Sequence, residues 1–134
     1  MLTVKTKIGP STIHGIGLFA DQVIPKGTLV WTYARGLDVA LTEEEYRALP
    51  EIARKNFKNY CYKSNTSNLY ILPFDDARYF NHSDSPNTIE APHTVDGEVS
   101  DMAARDIEPG EELLNNYHVT DADSAYKMSH DVRS

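Results

Sequence analysis

A mostly β fold of several short sheets with one small helical insert is what the sequence predicts for this chain of 134 residues. Three observations predict it. Glycine and proline divide the first third into short pieces, at Gly9-Pro10, Gly15, Gly17, Pro25, Gly27 and Gly36. The pieces between these breakers are rich in β-branched and aromatic residues, as in Val30, Trp31 and Tyr33. Only the stretch from Leu41 to about Lys58 carries helix-start chemistry. A chain of this length makes one domain that buries about two-thirds of its unfolded surface without disulfide or metal staples.

The first strands are expected at Leu2 to Lys5, Gly17 to Ala20 and Thr28 to Tyr33. Thr42 then stands as an N-cap with Glu45 three residues on, a capping box with acids in its first turn. Pro50 opens a second helical piece, Glu51 to about Lys58, with Ile52, Ala53 and Phe57 as its expected inward face. Asn65-Thr66-Ser67-Asn68 reads as a turn, and Leu69 to Leu72 as a short strand. Val99 to Arg105 and Glu112 to Tyr117 read as strands again, and the polar tail from Asp121 is expected to be loose at its end. Ala20, Ile24, Gly27 and Val30 recur with the same spacing as Ala103, Ile107, Gly110 and Leu113. Two readings of this repeat stand: chance recurrence of Pro/Gly turns, or internal pseudo-symmetry.

Composition excludes some functions. The chain is 40% hydrophobic and 25% charged, with a net charge of −7 and a single cysteine, Cys61. One cysteine gives no disulfide framework and no multi-cysteine zinc site, which favours a reducing, intracellular setting. No apolar run approaches the roughly 20 residues that span a bilayer, and the start, MLTVKTKIGPS, lacks the apolar core of a signal peptide. The acidic balance disfavours a nucleic-acid backbone and mildly favours a basic partner.

The candidate chemistry lies in three places. The histidines are His14, His82, His93, His118 and His130, and no two stand at the helical spacing of a zinc protease. Ser83 beside His82 lacks a nucleophile elbow, and Cys61 between two tyrosines reads as buried filler. His14-Gly15-Ile16-Gly17-Leu18-Phe19-Ala20 is a glycine loop before an apolar strand. It is either an ordinary β-turn or a place where a ligand comes close to the backbone. Arg78-Tyr79-Phe80-Asn81-His82-Ser83-Asp84-Ser85-Pro86-Asn87 runs two aromatics into a polar cluster closed by a Pro-Asn turn. Gly110-Glu111-Glu112-Leu113-Leu114-Asn115-Asn116-Tyr117 feeds a strand that ends on a tyrosine.

In that order, the three segments resemble the SET domain, the S-adenosylmethionine-dependent protein lysine methyltransferase family. The resemblance runs from about Lys7 to Tyr117. The middle segment matches the family's Arg-Phe-x-Asn-His-Ser-Cys-x-Pro-Asn and departs at Tyr79 and Asp84. The resemblance implies a β-clip-like SET fold over residues 1–120, with a helical insert at about 41–60 and a C-terminal strand threaded in a pseudoknot-like way. Residues 121–134 would form a polar tail able to serve as a lid, through Tyr126 for example.

The resemblance also implies roles. Asn81 and His82 would hold S-adenosylmethionine, with the backbone of Ile16, Gly17 and Leu18, and with Arg78 and Tyr117, around the same site. Tyr117 matches the family's catalytic tyrosine, and Tyr60, in Tyr60-Cys61-Tyr62, takes the place of a second one upstream. Asp84 stands where many members have a zinc-binding cysteine, and no cysteine follows Tyr117, so no zinc is expected and the tail or a second subunit would close the substrate channel. Asn115 occupies a position linked in larger members to the number of methyl groups added. The implied partner is a lysine-containing protein or peptide, histone or histone-like, with no membrane and no direct nucleic acid, inside the cell (cytoplasm, nucleus or virion). The alternative is an inactive SET-like module that binds peptide or cofactor without turnover.

Overall fold

The computed structural model describes residues 1–123. Its described strands form four small sheets. β1 (Thr6–Pro10) and β2 (Ile16–Ala20) make an antiparallel hairpin around the glycine loop. β3 (Leu29–Trp31) pairs with β9 (Glu98–Ala103), which pairs in turn with β8 (Thr88–Val95). β4 (Val39–Leu41), β6 (Tyr70–Leu72) and β5 (Tyr62–Lys63) form a third sheet, in that order. The fourth sheet pairs β7 (Asn81–His82) in parallel with β10 (Leu114–Asn115).

The helical insert forms as its caps dictate. Thr42 accepts from the Glu45 amide at 3.1 Å while the Glu45 carboxylate accepts from the Thr42 amide at 2.9 Å, and this box opens α1 (Glu43–Arg47). Pro50 precedes α2 (Glu51–Tyr60). The expected inward face of α2 is corrected: Ile52 is 77% exposed, Ala53 is exposed too, and only Phe57 turns in, against the Tyr46 ring. The helix lies on the surface and packs chiefly through its C-terminal turn, so apolar periodicity overstates its burial.

The repeat is real symmetry in the fold. Ile24 and Ile107 exchange both backbone hydrogen bonds, each at 2.8 Å. The Gly27 amide donates to the Ala103 carbonyl at 2.8 Å, and the Gly110 amide donates to the Ala20 carbonyl at 2.8 Å. The Ala103 amide donates to Thr28 and the Ala20 amide to Glu111, each at 2.9 Å. Every bond has its counterpart with the units exchanged. Gly27 and Gly110 stand at φ +83° and +90°, the left-handed region that a Cβ disfavours. Ile24, Ile107, Val30 and Leu113 are fully buried where the units meet, at the centre of the main core with Leu18, Trp31, Ile71 and Phe80. Burying each such side chain contributes about 1.5–3 kcal/mol.

Several expected boundaries move. Leu2 contributes only a single bridge to Trp31, and the first regular strand starts at Thr6. The expected strand Glu112 to Tyr117 is shorter: Asn116 caps a helical turn, α3 (Tyr117–Thr120), whose first residue is Tyr117. The start of the tail is held, with Asp123 paired to Lys58 at 2.7 Å and the Ala122 amide donating to the Lys63 carbonyl, while its end, expected to be loose, lies outside the described residues. Tyr126 and His130 lie outside the described residues. Among the described residues, no helix is long and apolar enough to cross a membrane.

Candidate active site

The polar cluster Asn81 to Asn87 holds a strand that passes through it. β10 lies parallel to β7, with Leu114 opposite Asn81 and Asn115 opposite His82. On its other edge Asn87 acts as a short piece of backbone: its Oδ1 accepts from the Leu114 amide at 2.9 Å and its Nδ2 donates to the Glu112 carbonyl at 2.8 Å. The Thr88 hydroxyl donates to the Leu114 carbonyl at 2.7 Å. Both residues are buried. The odd juxtaposition of aromatics and turn formers thus has a local reason. Phe80 enters the core, and the polar residues after it replace the sheet partner that a threaded strand lacks.

The same crossing positions the glycine loop. Asn81, 2% exposed, donates through Nδ2 to the His14 carbonyl at 2.9 Å and to Glu112 Oε2 at 2.8 Å. The Glu112 carboxylate also accepts from the Ser11 hydroxyl at 2.7 Å. A Cβ on Gly17 would collide with that carboxylate, so only glycine lets the loop lie against it. Ile16, Gly17 and Leu18 form the start of β2 beside this network. Sequence reasoning does not single out Ser11 or Glu112, although Ser11 lies just before the glycine loop and Glu112 within the last motif.

His82 and Tyr117 meet at the end of β10. The Tyr117 amide donates to His82 Nδ1 at 3.1 Å, and the two rings lie 5.3 Å apart. The Tyr117 hydroxyl donates to the Phe80 carbonyl at 2.5 Å. His82, Asp84 and His118 place potential ligand atoms within 4.8 Å of one another. Because His82 Nδ1 accepts a proton donor, its other nitrogen carries the hydrogen that faces Asp84 Oδ1 at 2.9 Å. In that tautomer His82 has no lone pair to give a metal ion.

A pocket of about 80 Å³ opens beside Tyr117. Tyr60, at the end of α2, and Tyr62, on β5, line it together with Trp31, Phe80 and Asn115. The structure therefore brings the two expected tyrosines to one cavity. It adds Tyr62, which the alternation Tyr60-Cys61-Tyr62 could have given: Cys61 is buried on the opposite side, in a second core with Tyr46 and Tyr70. Arg78 stands on the Tyr60 side, its guanidinium donating to the Pro73 carbonyl at 3.0 Å and lying 5.9 Å from the Tyr60 ring centre. It is not among the groups gathered around Asn81 Nδ2.

The pocket is not the apolar channel that lysine deprotonation would favour. Glu90, Glu98, Asp101 and Asp121 also line it. Burial, with Glu90 nearby, pushes the Asp101 carboxyl up to about 7. Burial and the neighbouring acids Asp101, Glu98 and Asp38 hold the Tyr62 phenol well above its ordinary range.

The family model of the SET domain matches residues 15–118, a span that takes in the β7–β10 crossing, and the chain belongs to that family. Its relatives include the Drosophila melanogaster histone-lysine N-methyltransferase trr, 31% identical over 88% of this chain and 5% of that protein. Another is the H3 lysine-4 specific histone-lysine N-methyltransferase of Schizosaccharomyces pombe, 31% identical over 81% of this chain and 12% of that protein. The chain thus spans a small fraction of the length of these relatives. A Plasmodium falciparum structure described as a histone methyltransferase superposes with a TM-score of 0.61 at 27% identity, covering 87% of this chain and 95% of that one. A chain of the Chaetomium thermophilum Polycomb Repressive Complex 2 superposes with a TM-score of 0.63 over 92% of this chain and 16% of that one, at 22% identity, a likeness of fold alone.

Proposed function

We propose that this domain transfers a methyl group from S-adenosylmethionine to the ε-amine of a lysine in a protein substrate, histone or histone-like. The observation that carries the reading is the double use of β7. The Phe80 carbonyl at its entrance fixes the Tyr117 hydroxyl, and the next residue, Asn81, holds the glycine loop. A tyrosine pocket and a glycine loop are thereby tied to adjacent residues of one strand.

The loop suits the cofactor. Ile13 and Ile16 are 51% and 41% exposed, leaving an uncovered apolar shelf beside the backbone that Gly17 keeps open. Ile16, Gly17, Leu18, Asn81, His82 and Tyr117 would hold the cofactor there, with Asn81 acting chiefly by fixing the loop. When bound, S-adenosylmethionine supplies an electrophilic methyl group on sulfur.

The chain's own residues orient the amine. An O–H that already donates to Phe80 presents the Tyr117 oxygen to the pocket as an acceptor, so it takes an amine N–H and turns the nitrogen lone pair. Tyr60, with its ring held by Arg78 and Tyr79, supplies the opposite wall. Deprotonating a lysine of pKa near 10.4 at pH 7 costs about 4.6 kcal/mol. Water carries that proton away, and no strong base is required. The His82 tautomer supports a site that works without zinc. The reading places the protein inside the cell, in nucleus or cytoplasm according to its target.

Purified protein, labelled S-adenosylmethionine and either histones or a cell lysate test the proposal, with mass spectrometry to locate the label. Methyl-lysine that still forms after chelation is the expected result. Cofactor binding with no transfer to any protein would instead make the domain a binding module.

A further inference from the structure

Methyl transfer to lysine does not explain the acids of the pocket. Among the described residues four carboxylates line it and no lysine, arginine or histidine does. Two are engaged by protein: Glu98 accepts from the Ser64 hydroxyl at 2.6 Å, and Asp121 accepts through Oδ1 from the Lys63 amide at 3.1 Å. Glu90 and Asp101 are different. They stand directly opposite each other in the β8–β9 register, and neither carboxylate has a hydrogen-bond or ion-pair partner among the described residues. Like charges placed opposite across two strands destabilise a sheet. The Met1 amine acts on Asp101 only at long range, because it is bonded to Asp38 and to the Thr32 carbonyl.

A second, independent group is unsatisfied beside them. Trp31 is opposite Asp101 in the β3–β9 register, is 3% exposed and lines the same pocket. Its buried indole N–H has no acceptor among the described residues. An orphaned donor next to an unpaired acid couple asks for a ligand that offers both an acceptor and a cation. A metal ion would answer only the acids. A peptide carries both, as a backbone carbonyl and a basic side chain.

We propose that Asp101 and Glu90 receive a second basic side chain of the substrate, one flanking the target lysine, while the Trp31 indole donates to a peptide carbonyl. This rests on the lysine-methylation reading and adds a substrate class to it: sequences with a cationic neighbour. Arginine fits best, since its planar fork donates to two carboxylate oxygens at once. The second cation also serves the chemistry. A bare acid pair near the target amine would hold it as ammonium, and a neutralised pair does not. The raised pKa of Asp101 agrees with an acid built to meet a cation and lacking one.

The test uses peptides with one lysine in an uncharged frame and one arginine moved through the flanking positions on either side. One register should lower KM by about 10- to 100-fold, the range of a hydrogen-bonded charge pair. A double-mutant cycle between Asp101→Asn and removal of that arginine should show coupling of the same size. Glu90→Gln, at an exposed position, repeats the cycle should Asp101→Asn fold poorly. Equal KM in every register, or additive effects of the two changes, would overturn the proposal while methylation itself persists. Failure to methylate lysine in any peptide or lysate would remove the underlying reading, and the proposal with it.

Discussion

The two units that pair through Ile24 and Ile107 share their backbone bonds and differ in where each sends the chain next. After Val30, the chain continues into Trp31 and Thr32, pairs antiparallel with β9 and stays in the core. After Leu113, it continues into Leu114 and Asn115, pairs in parallel with β7 and ends on Tyr117 at the pocket. The residue just before each buried aliphatic differs in the same way. Leu29 is apolar and half-buried, whereas Glu112 holds Ser11 and Asn81 with its carboxylate. The symmetry supplies the scaffold, and the proposed chemistry sits where the symmetry breaks.

The largest effect should come from the residue that substitutes for a missing strand on one side only. Asn87→Ala leaves a part-buried amide and a part-buried carbonyl of the threaded strand without this partner. Each costs about 1–3 kcal/mol, so denaturant unfolding should show a loss of about 2–6 kcal/mol. A loss below about 1 kcal/mol, the low end for a single orphaned group, would mean that the crossing is held by other contacts.

Asn81→Ala comes next. It removes the donor to the His14 carbonyl and to Glu112, so S-adenosylmethionine affinity, measured by calorimetry, should fall roughly 5- to 150-fold, for about 1–3 kcal/mol. Some stability should be lost with it, because the side chain is buried in the fold's own network.

Gly27→Ala and Gly110→Ala sharpen the comparison from the scaffold side. Neither added Cβ meets any atom, so only the left-handed backbone opposes it, at about 1–2 kcal/mol. Equal losses in melting experiments are expected, and clearly unequal ones would show that the symmetry is geometric but not energetic.

On the pocket side the comparison is tested by a pH slope. The folded Asp101 carboxyl titrates near 7, against 3.8 when unperturbed, under the influence of burial, of Glu90 and, in the opposite sense, of the Met1 amine. The native state therefore binds this proton more tightly than the unfolded chain does. Its stabilising contribution is present below about pH 4 and is lost as pH rises towards 7. Melting temperatures of parent and Asp101→Asn should diverge in favour of the variant across that window, and parallel curves would show that the shift is absent.

Much of this is legible in the sequence for physical reasons. Glycines at positive φ, a capping box and side-chain oxygens that replace backbone partners are local devices, and they leave local signatures. The repeat is visible as spacing, but only Ile24 and Ile107 in contact separate symmetry from chance. β8 is not legible because Pro92 and alternating polar residues interrupt it. It is an edge strand, and a register irregularity between Glu90 and Thr94 accommodates the break. Tyr60 and Tyr117 can be placed from their motifs. Glu90, Asp101 and Trp31 cannot, since their convergence depends on cross-strand register between segments far apart in the chain.

Tyr117→Phe tests the central claim most directly. The ring and its contacts with His82 remain, and the hydroxyl that would orient the amine goes. Single-turnover methylation should slow on the order of 100-fold, with cofactor affinity close to the parent's and a melting temperature lowered only by the lost bond to the Phe80 carbonyl. A variant that melts like the parent and methylates at the parent's rate would make Tyr117 a packing residue and remove the chemistry from the end of β10.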